Sequence, residues 1–344
     1  MTDAKERIES YKGSKIRIME VCGTHTHEIF RLGIRKLLPE NIELISGPGC
    51  PVCVTPVSFI DEALYLALEK NVTITTFGDL VRVPGTDGSM ATARAKGARI
   101  RTVYTPTDAV DYAKDHPDEQ VVFLAVGFET TTPSACLALK RAMDLGLNNF
   151  SLLVANKTMT NAYRAMKDAA DAFLYPGHVV AITGTDIPEG LTKEGISGVV
   201  CGFTAEEILT AIAYIVTKVP EGKPFFANCY PRVVRKEGNP KGRALIEKYM
   251  ESTNTQWRGL GVIPQSGLKL REAYKDYDAR VKFGIPKIEG RANPACRCGE
   301  VLQGKIRPVQ CPLFGKVCTP LTPVGACMVS NEGTCSAYFQ YGDQ

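Results

Sequence analysis

Three of the twelve cysteines and two of the four histidines in this chain fall between residues 19 and 57, as Cys22-Gly-Thr-His25-Thr-His27 and then Cys50-Pro-Val-Cys53. Thiolate and imidazole are the ligands that soft and borderline metals prefer, and thiolate is also a nucleophile and a redox group. Two residues between Cys50 and Cys53 let both sulfurs face one point, so the pair reads as a redox dithiol or as half of a metal site. Three sulfurs and one or two imidazoles converging here could hold a single soft metal ion. The alternative is a core cysteine at 22 with histidines that only cap a helix.

A second concentration lies between residues 296 and 335, with Cys296, Cys298, Cys311, Cys318, Cys327 and Cys335 in loops rich in Gly and Pro. A segment so poor in core formers needs an internal staple. Structural zinc sites favour C-x₂₋₄-C hooks, and this segment has none. Irregular gaps suit an iron–sulfur cluster held by four of the six thiolates. Zinc and disulfides remain as alternatives, and the spacing does not choose the four.

The elements that must place these groups alternate strand and helix. Ile16 to Val21 is a mostly apolar run ending just before Cys22, and a helix is expected from about Glu28 to Leu38. Cys22 thus falls at a strand C-terminus, where open α/β sheets bind ligands. The following helix would aim free N–H groups at the sulfur and favour the thiolate. A strand at Ile42–Ile45 leads to the loop Ser46-Gly-Pro-Gly-Cys-Pro-Val-Cys53, whose Gly and Pro residues suit a preformed path. Further units follow: helix 57–70, strand 72–77, helix 90–96, strand 99–104 and helix 105–116.

The cycle restarts at Val121–Val126, which ends in Gly127-Phe-Glu129-Thr130-Thr-Thr-Pro133 and a helix to about Met143. A strand at 150–154, a helix at 159–173, strands at 179–182 and 198–201 and a helix at 204–217 complete the expected series. His178 stands before one of these strands. It reads as a capping or packing residue, and as a functional one if it faces the cleft of Cys22.

This pattern predicts an α/β protein with two parallel-sheet domains of similar plan and a small C-terminal iron–sulfur segment. The expected division is 1–118 with the Cys22/His25 and Cys50–Cys53 site, 119–225 with the Glu129 and His178 motifs, 226–290 as a connecting segment returning toward the first domain, and 291–344 as the cluster domain. A chain of 344 residues exceeds one ordinary core.

A net charge of +4, from 41 basic and 37 acidic residues, supplies no field for nucleic acid. No apolar stretch reaches the ~20 residues a membrane helix needs, and no secretory h-region is visible. A cytoplasmic setting is expected, where twelve cysteines speak for metal or redox work rather than disulfides. Neither a G-x-x-x-x-G-K-[ST] loop nor a G-x-G-x-x-G turn after a strand is found, which disfavours a nucleotide enzyme.

Taken together, Cys22-Gly-Thr-His-Thr-His27, Gly47-Pro-Gly-Cys-Pro-Val-Cys53, Gly127-Phe-Glu-Thr-Thr131, Pro176-Gly-His178-Val with Gly184, and Met328-Val-Ser-Asn-Glu-Gly-Thr-Cys335 resemble the HypD family of [NiFe]-hydrogenase maturation factors. The resemblance runs nearly end to end. It implies two similar parallel-sheet α/β domains around a central cleft, a small C-terminal domain carrying a [4Fe-4S] cluster, and a role in assembling the Fe(CN)₂CO group of the hydrogenase, with the chaperone HypC and with HypE as cyanide donor. It implies that Cys22 is the thiolate ligand to the nascent iron, with His25 as helper or second ligand. Cys50 and Cys53 become a redox dithiol facing the cluster, and Glu129, Thr130 and His178 line the cleft. A general iron–sulfur-dependent thiol–disulfide oxidoreductase is the competing expectation.

Overall fold

The computed structural model describes residues 2–342. Eleven strands occur among them: β1 (Ile16–Glu20), β2 (Ile42–Ser46), β3 (Thr73–Thr76), β4 (Ile100–Thr102), β5 (Val121–Ala125), β6 (Phe150–Val154), β7 (Ala172–Pro176), β8 (Gly198–Cys201), β9 (Phe226–Asn228), β10 (Met250–Trp257) and β11 (Gly261–Leu270). The first nine form two parallel sheets, in the orders β2-β1-β7-β8-β9 and β4-β3-β5-β6, and the last two an antiparallel hairpin. β5, β6 and β7 are buried at every residue, as parallel strands covered on both faces should be. The α/β class with parallel-sheet cores is as expected.

The two sheets do not follow the consecutive division at 118/119. The chain lays down β1 and β2, leaves to build the whole second sheet, and returns at β7, which pairs with β1 through Ile18 and Ala172. β3 and β4 therefore belong with β5 and β6, and β7 and β8 with β1 and β2. Alternating strand and helix looks the same whether the next strand joins the current sheet or opens another, so periodicity carried no sign of the exchange.

Two elements also differ in kind. Residues 179–182 lie in a helix, Gly177–Thr183, and the strand is β7 just before it; the helix expected over 159–173 is shortened to Thr160–Ala165. The run Ala172-Phe-Leu-Tyr is apolar at every position, which periodicity alone cannot divide between helix and strand. The connecting segment is divided as well. β9 pairs with β8 in the first sheet, whereas Met250, Leu268 and Leu270 of the hairpin pack with Phe123, Leu152 and Leu139 on the second.

One apolar core joins the inner faces of both sheets, through Met19, Phe173, Tyr175 and Val200 on one side and Ile74, Val122, Leu124 and Leu153 on the other. Cys53, Cys298 and Cys327 belong to it too. The C-terminal segment is short helices and turns, among them Cys298–Leu302, Ala326–Val329 and Thr334–Tyr341. Among the described residues no helix is long and apolar enough to cross a membrane.

Candidate functional site

Cys22 is the N-cap of the helix Gly23–Arg31, with extended backbone at φ −148° and ψ 126°. The helix thus begins at Gly23 rather than near Glu28, and His25 and His27 lie in its first turns. Backbone N–H groups of His25 and Thr24 favour the thiolate, as expected, but removal from water outweighs them and Glu332 adds a like charge. The thiol is pushed up to about 12. The expected resting thiolate is therefore corrected to a thiol, because one short helix offers less than the lost hydration costs.

His25 is fully buried, and its Nε2 lies 2.8 Å from the carbonyl oxygen of Gly202. A carbonyl only accepts, so Nε2 carries the proton and Nδ1, which has no partner, keeps its lone pair. Burial pushes His25 down to about 4, which keeps the ring neutral at pH 7. The ring stacks on Phe203 at 4.6 Å, and His178 stacks on Phe203 at 4.0 Å. Phe203 is itself held by the capping box of the next helix, its N–H donating to Glu207 Oε2 at 2.8 Å while Thr204 caps that helix. His178 is exposed on its outer side; partial loss of water still lowers its pKa, against the opposing charge of Glu332. The two histidines thus share one wall of the Cys22 site, on either side of a phenyl ring.

The Cys50-Pro-Val-Cys53 motif forms a short helix, Pro51–Val54, with Cys50 as N-cap and its sulfur accepting from the Cys53 N–H at 3.3 Å. It is pressed against Cys22 by Gly49. A Cβ at Gly49 would stand 2.1 Å from the Cys22 nitrogen and 2.4 Å from its Cα, and Gly23 N–H donates to Gly49 O at 3.1 Å. On its other side, Cys53 Sγ lies 4.0 Å from Ala326 O and against the Cys327 thiol. Burial, then Cys327 and Cys50, raise Cys53 well above a free thiol.

All six C-terminal cysteines line one small cavity, with Leu313, Phe314, Met328 and Val301 as its apolar walls. Cys327 Sγ and Cys298 Sγ are 3.5 Å apart. Neither imidazole nor carboxylate lines this cavity. Thiols on several sides of an apolar cavity fit a polynuclear iron–sulfur body, whose ligands surround it rather than meet at a point. Among the described residues no three Cys, His, Asp or Glu side chains converge as a ready single-ion site. The convergence of three sulfurs and imidazoles on one ion, expected around Cys22, is not found.

Glu129 is buried below this wall. Its Oε1 accepts from the Met159 N–H at 2.8 Å, Oε2 has no partner, and burial pushes the carboxyl up to about 7. Tyr163, whose buried hydroxyl also lacks a partner, feels the charges of Glu129, Tyr175 and Cys22 and links the two places. Thr130 is exposed in the turn before the helix Thr132–Asp144 and is not brought to the site. His27 turns away, to Glu28 at 3.3 Å and the Tyr341 hydroxyl at 3.1 Å.

Sequence reasoning missed Glu332, Phe203 and Tyr163. Glu332 Oε1 accepts from Thr24 Oγ1 at 2.8 Å, and its Cβ lies 2.4 Å from where a Cβ on Gly23 would be. It carries a carboxylate from the cysteine-rich segment to the mouth of the Cys22 site. Its place within Met328–Cys335 was the one available signal; Phe203 and Tyr163 had none.

The HypD profile, described as the hydrogenase formation hypA family, matches residues 1–342. The hydrogenase maturation factor HypD of Rhizobium leguminosarum bv. viciae is 44% identical over 338 residues, covering 94% of this chain and 88% of the relative. That of Rhodobacter capsulatus is 43% identical over 347 residues, 98% of this chain and 92% of the relative. The Escherichia coli (strain K12) protein of the same name is 42% identical over 335 residues, 96% of this chain and 90% of the relative. With similarity of this depth along its length, the chain belongs to the HypD family of hydrogenase maturation factors.

Proposed function

We propose that this protein is the scaffold and redox-active assembly factor on which the Fe(CN)₂CO unit of the [NiFe]-hydrogenase active site is built, acting with HypC and HypE. The observation that carries the reading is the row of groups from Cys22 through Gly49 and the Cys50–Cys53 helix to Cys327 of the C-terminal array. It sets a half-buried single thiol beside a dithiol, and the dithiol beside a cysteine-lined cavity.

In this reading the iron is cargo. Cys22 supplies one soft ligand and gives up its proton on ligation, since a metal stabilises thiolate where bulk water does not reach. The unpartnered Nδ1 of His25 supplies a neutral lone pair, as acceptor for that proton or as second ligand. One thiolate leaves positions open for the diatomic ligands and for a thiolate from HypC, and thiolates suit a low-spin iron better than carboxylates do. Four of Cys296, Cys298, Cys311, Cys318, Cys327 and Cys335 would hold a [4Fe-4S] cluster, whose chemistry when bound is one-electron transfer. Cys50 and Cys53 then hold two electrons as thiols or release them as a disulfide. Glu129 and Tyr163 keep protons in a dry floor beneath the site.

The contact of Cys53 with Cys327 also favours a second reading, an iron–sulfur-dependent thiol–disulfide oxidoreductase. Infrared spectroscopy of the protein purified anaerobically with HypC separates the two. Iron-bound cyanide and CO stretches in the wild type that vanish in Cys22→Ala are the expected result. Their absence from a wild type with full cluster content and bound partner would sink the scaffold and leave the oxidoreductase.

A further inference from the structure

Of the six cysteines around the C-terminal cavity, five are buried and Cys296 alone is half-buried. Cys296, together with Cys298, lines a groove of about 1090 Å³ between the loop at 84–89 and the segment at 291–299. The charged residues along it are Arg82, Arg258 and Arg291 against one carboxylate, Asp87. Arg291 and Asp87 are both well exposed and lie 3.9 Å apart, too loose a pair to cancel the field. Arg258 is fixed by its Nε donating to Thr55 O at 2.7 Å and has a buried Nη2 without a partner, on the same groove as Cys296 and Cys298. Leu321, 88% exposed, stands on the same rim.

The array therefore has two sides. Cys296 faces the groove, and Cys327, 3.5 Å from Cys298, faces Cys53 in the interior. We infer that the groove is the docking site of an acidic one-electron carrier protein of the ferredoxin class, which delivers electrons at the Cys296 edge. The inference rests on the cluster reading given above. An arginine-lined concavity with an exposed apolar rim selects an acidic protein by charge complementarity and steers its approach. With a cluster held by the array, each encounter would pass one electron from the carrier, which is oxidised, and two such electrons with two protons from solvent would reduce the S–S bond of an oxidised Cys50–Cys53 pair to two thiols.

The test uses the full chain purified anaerobically, with a bacterial two-cluster ferredoxin as probe. Binding is measured by calorimetry at low and at high ionic strength, and cluster reduction by stopped-flow absorbance. Wild type should bind at low salt and lose affinity as salt rises, and R82E/R291E should raise Kd roughly tenfold or more and slow reduction accordingly. K140E, the same reversal on the helix Thr132–Asp144 outside the groove, should bind as wild type does. Equal affinity in wild type and R82E/R291E, or binding indifferent to salt, overturns the docking. Iron and sulfide analysis of the same samples judges the cluster separately. A chain that binds the ferredoxin through these arginines but holds no iron keeps the docking and overturns the cluster.

Discussion

Glu129 is held where its charge is costly: one carboxyl oxygen accepts from the Met159 N–H, the other meets nothing, and burial pushes the group up to about 7. The folded state keeps the proton between the ordinary carboxyl range and that value, while the unfolded chain has lost it. Stability from this residue is therefore full at acid pH and lost as pH rises through 7. Glu129→Gln keeps the acceptor for Met159 and removes the ionisation. It should match the wild type near pH 4.5 and exceed it at pH 8 by on the order of 3 kcal/mol, read from urea unfolding at the two values. A variant no more stable than wild type at pH 8 would mean that Glu129 is hydrated or paired in solution. A site that tolerates such a cost is one where function has outweighed stability. At this scale the residue types were legible in the sequence, since Cys22, His25, Cys50 and Cys53 stood out by type and spacing, and Glu129 and His178 through the motifs of the resemblance. Their protonation was not, because it depends on how much water each side chain loses, and Cys22 shows a helix N-terminus overruled by burial.

The elements meet at Gly49. The loop after β2 crosses the end of β1 so closely that any side chain at 49 would enter the Cys22 backbone, which cannot retreat without breaking the cap of its helix. The crossing joins the two cysteine motifs mechanically and keeps the Cys50–Cys53 helix beside Cys22. Gly49→Ala should cost about 1–3 kcal/mol by overpacking. It should appear as a lower denaturant midpoint with an unchanged slope, and abolish hydrogenase maturation in cells even where the protein folds. Gly190→Ala, a helical glycine with nothing within 4 Å of its added Cβ, serves as control and should be neutral or stabilising. Equal stability of Gly49→Ala and Gly190→Ala would show that the crossing is loose. The sequence marked the Gly-Pro-Gly-Cys-Pro path as special. It could not say what the glycine avoids, since the obstructing atoms lie 27 residues earlier in the chain.

The whole molecule is organised by a chain that leaves its first sheet and comes back. β1 needs β7 on one side, and β3 needs β5, so each sheet has a central pairing that spans the expected boundary at 118/119. This interleaving brings Cys22, His178 and Glu332 together, with Glu129 coupled to Cys22 through the buried Tyr163, from positions far apart in the chain. It was the part of the fold least legible in the sequence, because hydrophobic periodicity names strands without naming their partners. It also makes a clear demand on folding. A fragment of residues 1–118 holds β1 to β4 but neither β5 nor β7, and is left with the pairs β1-β2 and β3-β4. A two-stranded unit is marginal at best in water, and the apolar face that Met19, Ile45 and Ile74 turn to the shared core would lie open. The fragment should show no cooperative thermal transition by circular dichroism and no slowly exchanging amides in β1 or β3, whereas the full chain shows both. Cooperative melting of the fragment with protected strand amides would establish residues 1–118 as a folding unit, and would reduce the return of the chain to a late docking event.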